Sequence, residues 1–306
     1  MVEKLKKIWL DGEMIDWDDA TVHVLTHSLH YGVGAFEGIR AYKHKDGTTQ
    51  IFRLREHIDR LFDSCKLVLM QPKFNREQLM QACIETIRVN GLAEGYLRPL
   101  IFVGDGAMGV YAPDNPVRAT VIAWKWGTYL GEDALLKGIR CKISSFARHH
   151  INVSLAKGKI SGQYTNSVLA KREVKLAGYD EAIMLDPNGY VSEGSGENIF
   201  LVKGGALLTP DLSSSILEGI TRDSVLTLAR EENIPVQETR LTRDQLWLAD
   251  EAFFTGTAAE LTPIREVDNR AIGDGTVGPI TKRLQARFFD VVRGGDTTHP
   301  EWLTKV

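Results

Sequence analysis

Lys159 lies in the run Lys157-Gly-Lys-Ile-Ser-Gly-Gln-Tyr-Thr-Asn-Ser167. A lysine amine becomes a nucleophile when its pKa falls, and it then condenses with a carbonyl to a Schiff base. Most lysines are solvated surface charges, so the neighbourhood has to carry the argument. Gly158 and Gly162 relax the backbone on either side, and Tyr164 follows five residues on. A phenol at that spacing can hydrogen-bond the oxygen of an aromatic aldehyde. A second segment, Val191-Ser-Glu-Gly-Ser-Gly-Glu-Asn-Ile-Phe200, sets two glutamates among small residues between strands. As a bland polar loop it would be solvated. With Glu193 facing inward it would keep a pyridine nitrogen protonated, which lets the ring accept electrons from a carbanion.

Three places suit an anion. Glu218-Gly-Ile-Thr-Arg-Asp223 opens a helix, whose free N–H groups and dipole favour phosphate. Gly256-Thr-Ala-Ala259 follows a strand and can form a nest of N–H groups with one hydroxyl. Arg60 lies beside the apolar stripe of a helix and can grip phosphate with two parallel bonds. Each has a plain alternative: a capped helix, a tight turn, a surface arginine. None matches a Walker loop or a dinucleotide fingerprint.

The elements that must position these groups read as a mixture. Ile8–Leu10, an Asp11-Gly12 turn and Met14-Ile15 predict a hairpin, as do Ile39–Tyr42, Asp46-Gly47 and Gln50–Arg53. Apolar residues then fall at helical spacing from about Arg55 to Met70, and again from Asn75, a candidate N-cap, to Asn90-Gly91. Strands are predicted over 96–103 and 119–126, with a Gly- and Pro-rich loop over 104–116. Residues 127–138 read as a linker. Beyond it, Asp180 to Leu208 predicts a β-meander, followed by a helix over 221–232, a short strand at 252–254 and a last helix carrying Ile280, Leu284, Phe288 and Val291. Strands and helices cluster without regular alternation, which argues for α+β rather than a doubly wound sheet.

Composition narrows the classes. The 306 residues suffice for two domains; 43% are hydrophobic and 25% charged, as in ordinary globular chains. A net charge of −3 leaves no basic surplus for nucleic acid. The three cysteines stand far apart, which excludes a disulfide framework or a zinc ribbon and fits a reducing cytoplasm. No apolar run is long enough for a bilayer or a signal peptide. The expectation is a cytoplasmic protein that handles small molecules, with no metal, membrane or nucleic-acid partner.

Taken together, His30-Tyr-Gly-Val-Gly-Ala-Phe-Glu-Gly-Ile-Arg40, Arg53-Leu-Arg-Glu-His-Ile-Asp-Arg-Leu61, Tyr96-Leu-Arg98, Lys159 with Tyr164, Glu193-Gly-Ser-Gly-Glu-Asn198, Leu217-Glu-Gly-Ile-Thr-Arg222 and Phe254-Thr-Gly-Thr-Ala-Ala-Glu260 resemble the fold-type IV pyridoxal-phosphate enzymes. The likeness is nearest to the branched-chain amino acid aminotransferase family, and it spans nearly the whole chain from Trp9-Leu-Asp-Gly12 to the last helix. The resemblance implies a small N-terminal α/β domain (1–126), an interdomain loop (127–138) and a larger β-rich, pseudo-barrel domain (139–306), with the cofactor between the two domains. It implies that Lys159 holds pyridoxal 5'-phosphate through a Schiff base and moves the substrate proton. Tyr164 would bond the ring oxygen and Glu193 the ring nitrogen. Arg60, the N–H groups of Ile220 and Thr221, and Thr257 would hold the phosphate.

Tyr96 with the N–H groups of Thr257 and Ala258 would take the substrate α-carboxylate. Tyr31, Phe36, Trp126 and Tyr129 would line an apolar pocket, and Arg98 would meet the distal carboxylate of glutamate. One site must accept an alkyl chain and a carboxylate in turn; aromatic walls serve the first and a rim arginine the second. The family implies a homodimer or larger assembly, with Met108 and Val110 on the 104–116 loop as contacts in trans. Lys157 is a rival for the lysine; Lys159 is preferred because its spacing to Gly162 and Tyr164 fits the family pattern. The implied reaction is reversible transfer of the amino group of L-leucine, L-isoleucine or L-valine to 2-oxoglutarate. D-amino acid aminotransferase or aminodeoxychorismate lyase activity would use the same lysine and glutamate. A non-catalytic binding protein would lack a yellow cofactor that bleaches with L-amino acid.

Overall fold

A computed structural model describes residues 2–127 and 131–306. The chain forms two compact units that are discontinuous in sequence. The first gathers the residues up to Gly127 with Gly158–Tyr164 and Val291–Val306; the second gathers those up to Lys157 with Thr165–Asp290.

The first unit holds β1 (Lys7–Leu10), β2 (Glu13–Asp16), α1 (His27–Tyr31), β3 (Gly34–Phe36), β4 (Ile39–Lys43), β5 (Thr49–Phe52), α2 (Leu54–Leu67), α3 (Arg76–Val89), β6 (Gly95–Val103) and β7 (Val117–Trp124). The two expected hairpins form, with β1 on β2 and β4 on β5. The sheet runs from the final strand Leu303–Lys305 through β5, β4, β6 and β7 to β1 and β2, with β3 on β6. Of its long central pair, β6 is nearly continuous in buried side chains, while β7 is buried over Ala119–Val121 and at Ala123. The helices supply one apolar face: Ile58, Leu61 and Cys65 of α2 and Leu79, Cys83 and Ile87 of α3 are fully or almost fully buried against Ile39, Ile51, Leu97 and Val121. Asn75 begins α3 as expected: its side chain accepts from the Gln78 N–H at 2.9 Å, while Gln78 accepts from the Asn75 N–H at 2.8 Å.

The second unit holds α4 (Glu132–Lys137), β8 (Ile139–Ile143), α5 (Tyr164–Leu176), whose first residue belongs to the other unit, β9 (Glu181–Leu185), β10 (Val191–Gly194), β11 (Asn198–Lys203), β12 (Ala206–Thr209), α6 (Ile220–Glu231), β13 (Val236–Glu238), α7 (Arg243–Trp247), β14 (Glu251–Gly256), β15 (Glu260–Val267), β16 (Arg270–Ala271) and α8 (Pro279–Arg293), whose last turn returns to the first unit. Strand order β10-β9-β8-β15-β14-β11, with β11 pairing back onto β10, closes a six-stranded barrel. Both faces of β11 and β14 are covered, which explains their unbroken apolar runs. Ile199, Leu201, Ala252 and Phe254 join one cluster. Phe200 and Phe253, pointing to the other face, stack with centroids 5.1 Å apart.

Two expectations change here. Val191–Gly194 is a strand, so Glu193 is carried by the barrel wall rather than by a loop between strands. The stretch read as linker contains the short helix α4. Its leucines and alanine sit at a spacing too brief to show a helical period. Tyr164–Leu176 is also helical; its polar, weakly patterned sequence hides the fact.

Candidate active site

In the first unit the segment Gly158–Tyr164 is tied down at several points. Ile160 bridges Ala35, and the Phe36 N–H donates to the Lys159 carbonyl at 3.1 Å. The Lys159 N–H donates to Ser64 Oγ at 2.9 Å, and that hydroxyl donates to the Arg60 carbonyl at 2.8 Å. The Gly162 N–H donates to the Gly32 carbonyl at 3.0 Å. Gly32 has φ +70°, and a Cβ there would lie 2.8 Å from the Gly162 backbone, so only glycine fits the crossing. On this frame the Lys159 amine donates to the Tyr164 hydroxyl at 2.7 Å. It stands 5.2 Å from the ring centres of both Phe36 and Tyr164.

An aromatic wall adjoins the amine. Tyr96 lies 5.0 Å, centroid to centroid, from both Trp124 and Trp126. The Arg98 guanidinium stands 4.7 Å from the Phe36 ring, 5.5 Å from Tyr96 and 5.7 Å from Trp124. Its Nε is buried without a hydrogen-bond partner among the described residues. Gly38 packs beneath Tyr96, where a Cβ would fall 1.8 Å from the hydroxyl.

Arg60 is bound on its side-on edge by Glu37. Its Nε donates to Oε1 at 2.7 Å and its Nη2 to Oε2 at 2.9 Å. His57 Nδ1 lies 2.7 Å from Oε2 of the same carboxylate. Burial pushes the Glu37 carboxyl up, but Arg60 and His57 beside it outweigh this and hold it well below the usual carboxylate range. Burial pulls His57 below the ordinary imidazole value against the pull of Glu37. Sequence reasoning gives neither Glu37 nor His57 a role of its own. A buried arginine needs an anion, and that need is the only signal that could have found them.

The loop over 104–116 is pinned by Asn115, which accepts from the Ala107 N–H at 2.8 Å and donates to its carbonyl at 2.9 Å. Tyr31 accepts from the Gly109 N–H at 3.0 Å, which ties its hydroxyl to this loop. Met108 and Val110 are 43% and 90% exposed. Tyr129 lies outside the described residues.

In the second unit Glu193 is buried and fully engaged. Oε1 pairs with Arg148 Nη2 at 2.9 Å; Oε2 accepts from Asn198 Nδ2 and from the Leu217 N–H, each at 3.1 Å. Arg148 escapes sequence reasoning, since nothing in its flanking residues marks it. Ile220 and Thr221 open α6 after Gly219, with no side-chain cap. Gly219 has no room for a Cβ, which would lie 1.9 Å from Asn198 Oδ1. Thr257 and Ala258 lie in the turn joining Gly256 to Glu260, the last pair of β14 and β15. Next to them the Thr255 hydroxyl is buried and unpartnered among the described residues. The Lys157 amine donates to the carbonyls of Leu212 at 2.6 Å and Ile216 at 3.1 Å. It is thus spent on backbone, unlike that of Lys159.

The profile of the class IV amino-transferases matches residues 34–267. A branched-chain-amino-acid aminotransferase of Pseudomonas aeruginosa is 51% identical over all of this chain and 99% of its own length. The crystal structure of the Escherichia coli branched-chain amino acid aminotransferase is 47% identical, with a TM-score of 0.96 over 98% of this chain and 99% of that one. The branched-chain amino acid aminotransferase from Thermobaculum terrenum, crystallised in its PLP-form, is 36% identical at a TM-score of 0.93, over 99% of each chain. A family profile covering most of the chain and relatives this similar over their full length leave one conclusion: the chain belongs to the class IV aminotransferases, pyridoxal-phosphate enzymes of fold-type IV.

Proposed function

We propose that this protein transfers the amino group reversibly between L-leucine, L-isoleucine or L-valine and 2-oxoglutarate. The observation that carries the reading is the Lys159 amine, 2.7 Å from the Tyr164 hydroxyl and beside Phe36, with Arg98 over the same aromatic wall. Full-length similarity to enzymes named for this reaction supports it.

The residues suit a phosphorylated aromatic aldehyde. An amine paired with a phenol, a buried carboxylate, a helix N-terminus without a side-chain cap and a buried threonine hydroxyl without a partner among the described residues are the donors and acceptors that such a molecule needs. When bound, pyridoxal phosphate supplies the carbonyl that captures the amino group and the ring that draws electrons from the Cα–H bond. Lys159 binds it, accepts the Cα proton and delivers it again; Tyr164 holds the amine and meets the ring oxygen. Glu193, ion-paired with Arg148, meets the ring nitrogen and keeps it protonated. Arg60, the N–H groups of Ile220 and Thr221, and Thr257 hold the phosphate. Tyr96 with the N–H groups of Thr257 and Ala258 binds the α-carboxylate. Phe36, Trp126 and Tyr31 enclose the alkyl chain, and Arg98 takes the distal carboxylate of glutamate. Positioned proton transfer contributes about 10²–10⁴-fold to such a rate.

The assembly is a homodimer or a multiple of dimers in the cytoplasm, with the exposed Met108 and Val110 reaching the partner's pocket. The test is direct. Loaded protein given L-leucine and 2-oxoglutarate should form a branched 2-oxo acid and glutamate, and should leave D-alanine untouched. Turnover of D-alanine without turnover of L-leucine would overturn the reading.

A further inference from the structure

Glu37 stands outside every role given above, yet it is fully buried and is the hub of a charged cluster. It follows Phe36, whose ring adjoins the Lys159 amine, and precedes Gly38, which packs beneath Tyr96. Its N–H donates to the Pro99 carbonyl at 2.9 Å, so the backbone there is fixed to β6. Its carboxylate clamps two residues one turn apart on α2, His57 and Arg60. A carboxylate can only accept, so the imidazole donates through Nδ1. Leaving such an acid in an apolar interior is unfavourable unless every lone pair is used and a cation is held in return.

We infer that Glu37 is a positioning residue for cofactor binding: it fixes the plane of the Arg60 guanidinium so that Arg60 meets the cofactor's phosphate, with His57 holding Glu37 in place. The inference rests on the proposed phosphate role of Arg60. A lone arginine on α2 would sample several rotamers, whereas a side-on bidentate pair with a fully buried acid leaves one. The clamp also joins the phosphate-holding residue to the strand end that carries Phe36. The two ends of the site are therefore set by one side chain.

The test compares pyridoxal phosphate with pyridoxal, which lacks the phosphate. Full-length protein freed of cofactor is titrated with each, and binding is read from absorbance. Glu37→Gln should weaken pyridoxal phosphate about 10–100-fold, as loss of an outer partner commonly does to a liganding group. Its affinity for pyridoxal should stay within about 2-fold. Arg60→Met should lose the same phosphate preference, and Glu37→Gln added to Arg60→Met should cost nothing more, because a residue acting through another has no effect once that other is gone. An equal loss for both ligands, or an undiminished loss in the Arg60→Met background, would mean a merely structural role and would overturn the inference. An Arg60→Met variant that keeps the preference would instead overturn the phosphate role of Arg60 itself. If Glu37→Gln does not fold, Glu37→Asp carries the same comparison: it keeps the charge but is one methylene short, and the preference must still fall.

Discussion

In the proposed reaction Arg98 would serve two substrates with one side chain. Over Phe36, Tyr96 and Trp124 its charge is partly compensated by aromatic faces, so it needs no fixed anion when an alkyl chain occupies the pocket. Arg98→Ala should therefore lower kcat/KM for 2-oxoglutarate and glutamate by about 10–100-fold, the worth of a hydrogen bond to a charged group, and should change leucine turnover far less. Equal losses for both would reject the dual role. Glu197 shows a different consequence of burial. Glu181 has Lys171 and Glu193 has Arg148, but Glu197 has no ion-pair partner among the described residues. Burial, with Glu181 beside it, pushes its carboxyl from 4.5 up to about 8. The folded state then holds a proton that the unfolded chain releases above the ordinary carboxylate range. Stability falls as pH rises between those two values, by at most about 1.4 kcal/mol per pH unit. Glu197→Gln keeps the neutral shape and escapes this. It should melt higher than the parent at pH 8, with the gap closing toward pH 5; a gap independent of pH would contradict the assignment.

At the scale of elements, what was legible followed periodicity and punctuation. The hairpins around Asp11-Gly12 and Asp46-Gly47, the capping box at Asn75 and the stripes of α2 and α3 all lie where local signals agree. β10 was hidden because Val191-Ser-Glu-Gly alternates nothing apolar; its place in the barrel is set by pairing on both sides. α5 was hidden because only Ser167, Ala170 and Val174 are buried. Asn75→Ala should cost about 0.5–2 kcal/mol through the lost cap, seen as a lower melting temperature with activity per folded molecule unchanged. Gly32→Ala acts differently. It strikes the backbone crossing that positions Gly158–Tyr164, so activity and cofactor retention should fall in protein that is still folded. Wild-type cofactor retention in that variant would show that the crossing does not set the lysine.

At the scale of the molecule, the order of residues along the chain is a poor guide to which unit they join. Gly158–Tyr164 lies between stretches of the barrel unit yet groups with the N-terminal sheet, and the C-terminal strand pairs with β5. No local pattern encodes this; long-range pairs such as Ala35 with Ile160 do. The residues proposed to bear the chemistry could nonetheless be named from the sequence, because their types are demanded by the proposed reaction rather than by packing. What stayed hidden were the partners that hold them: Glu37 for Arg60, Ser64 for the Lys159 backbone, Arg148 for Glu193. Each is an ordinary charged or hydroxyl residue whose role appears only once burial is known. The proposed reaction depends first on which amine carries the cofactor. Borohydride reduction of the loaded protein, followed by digestion and mass spectrometry, measures it. The reduced pyridoxyl group should be found on the peptide containing Lys159, at that residue alone. Its recovery on Lys157, or on no lysine at all, would contradict the account.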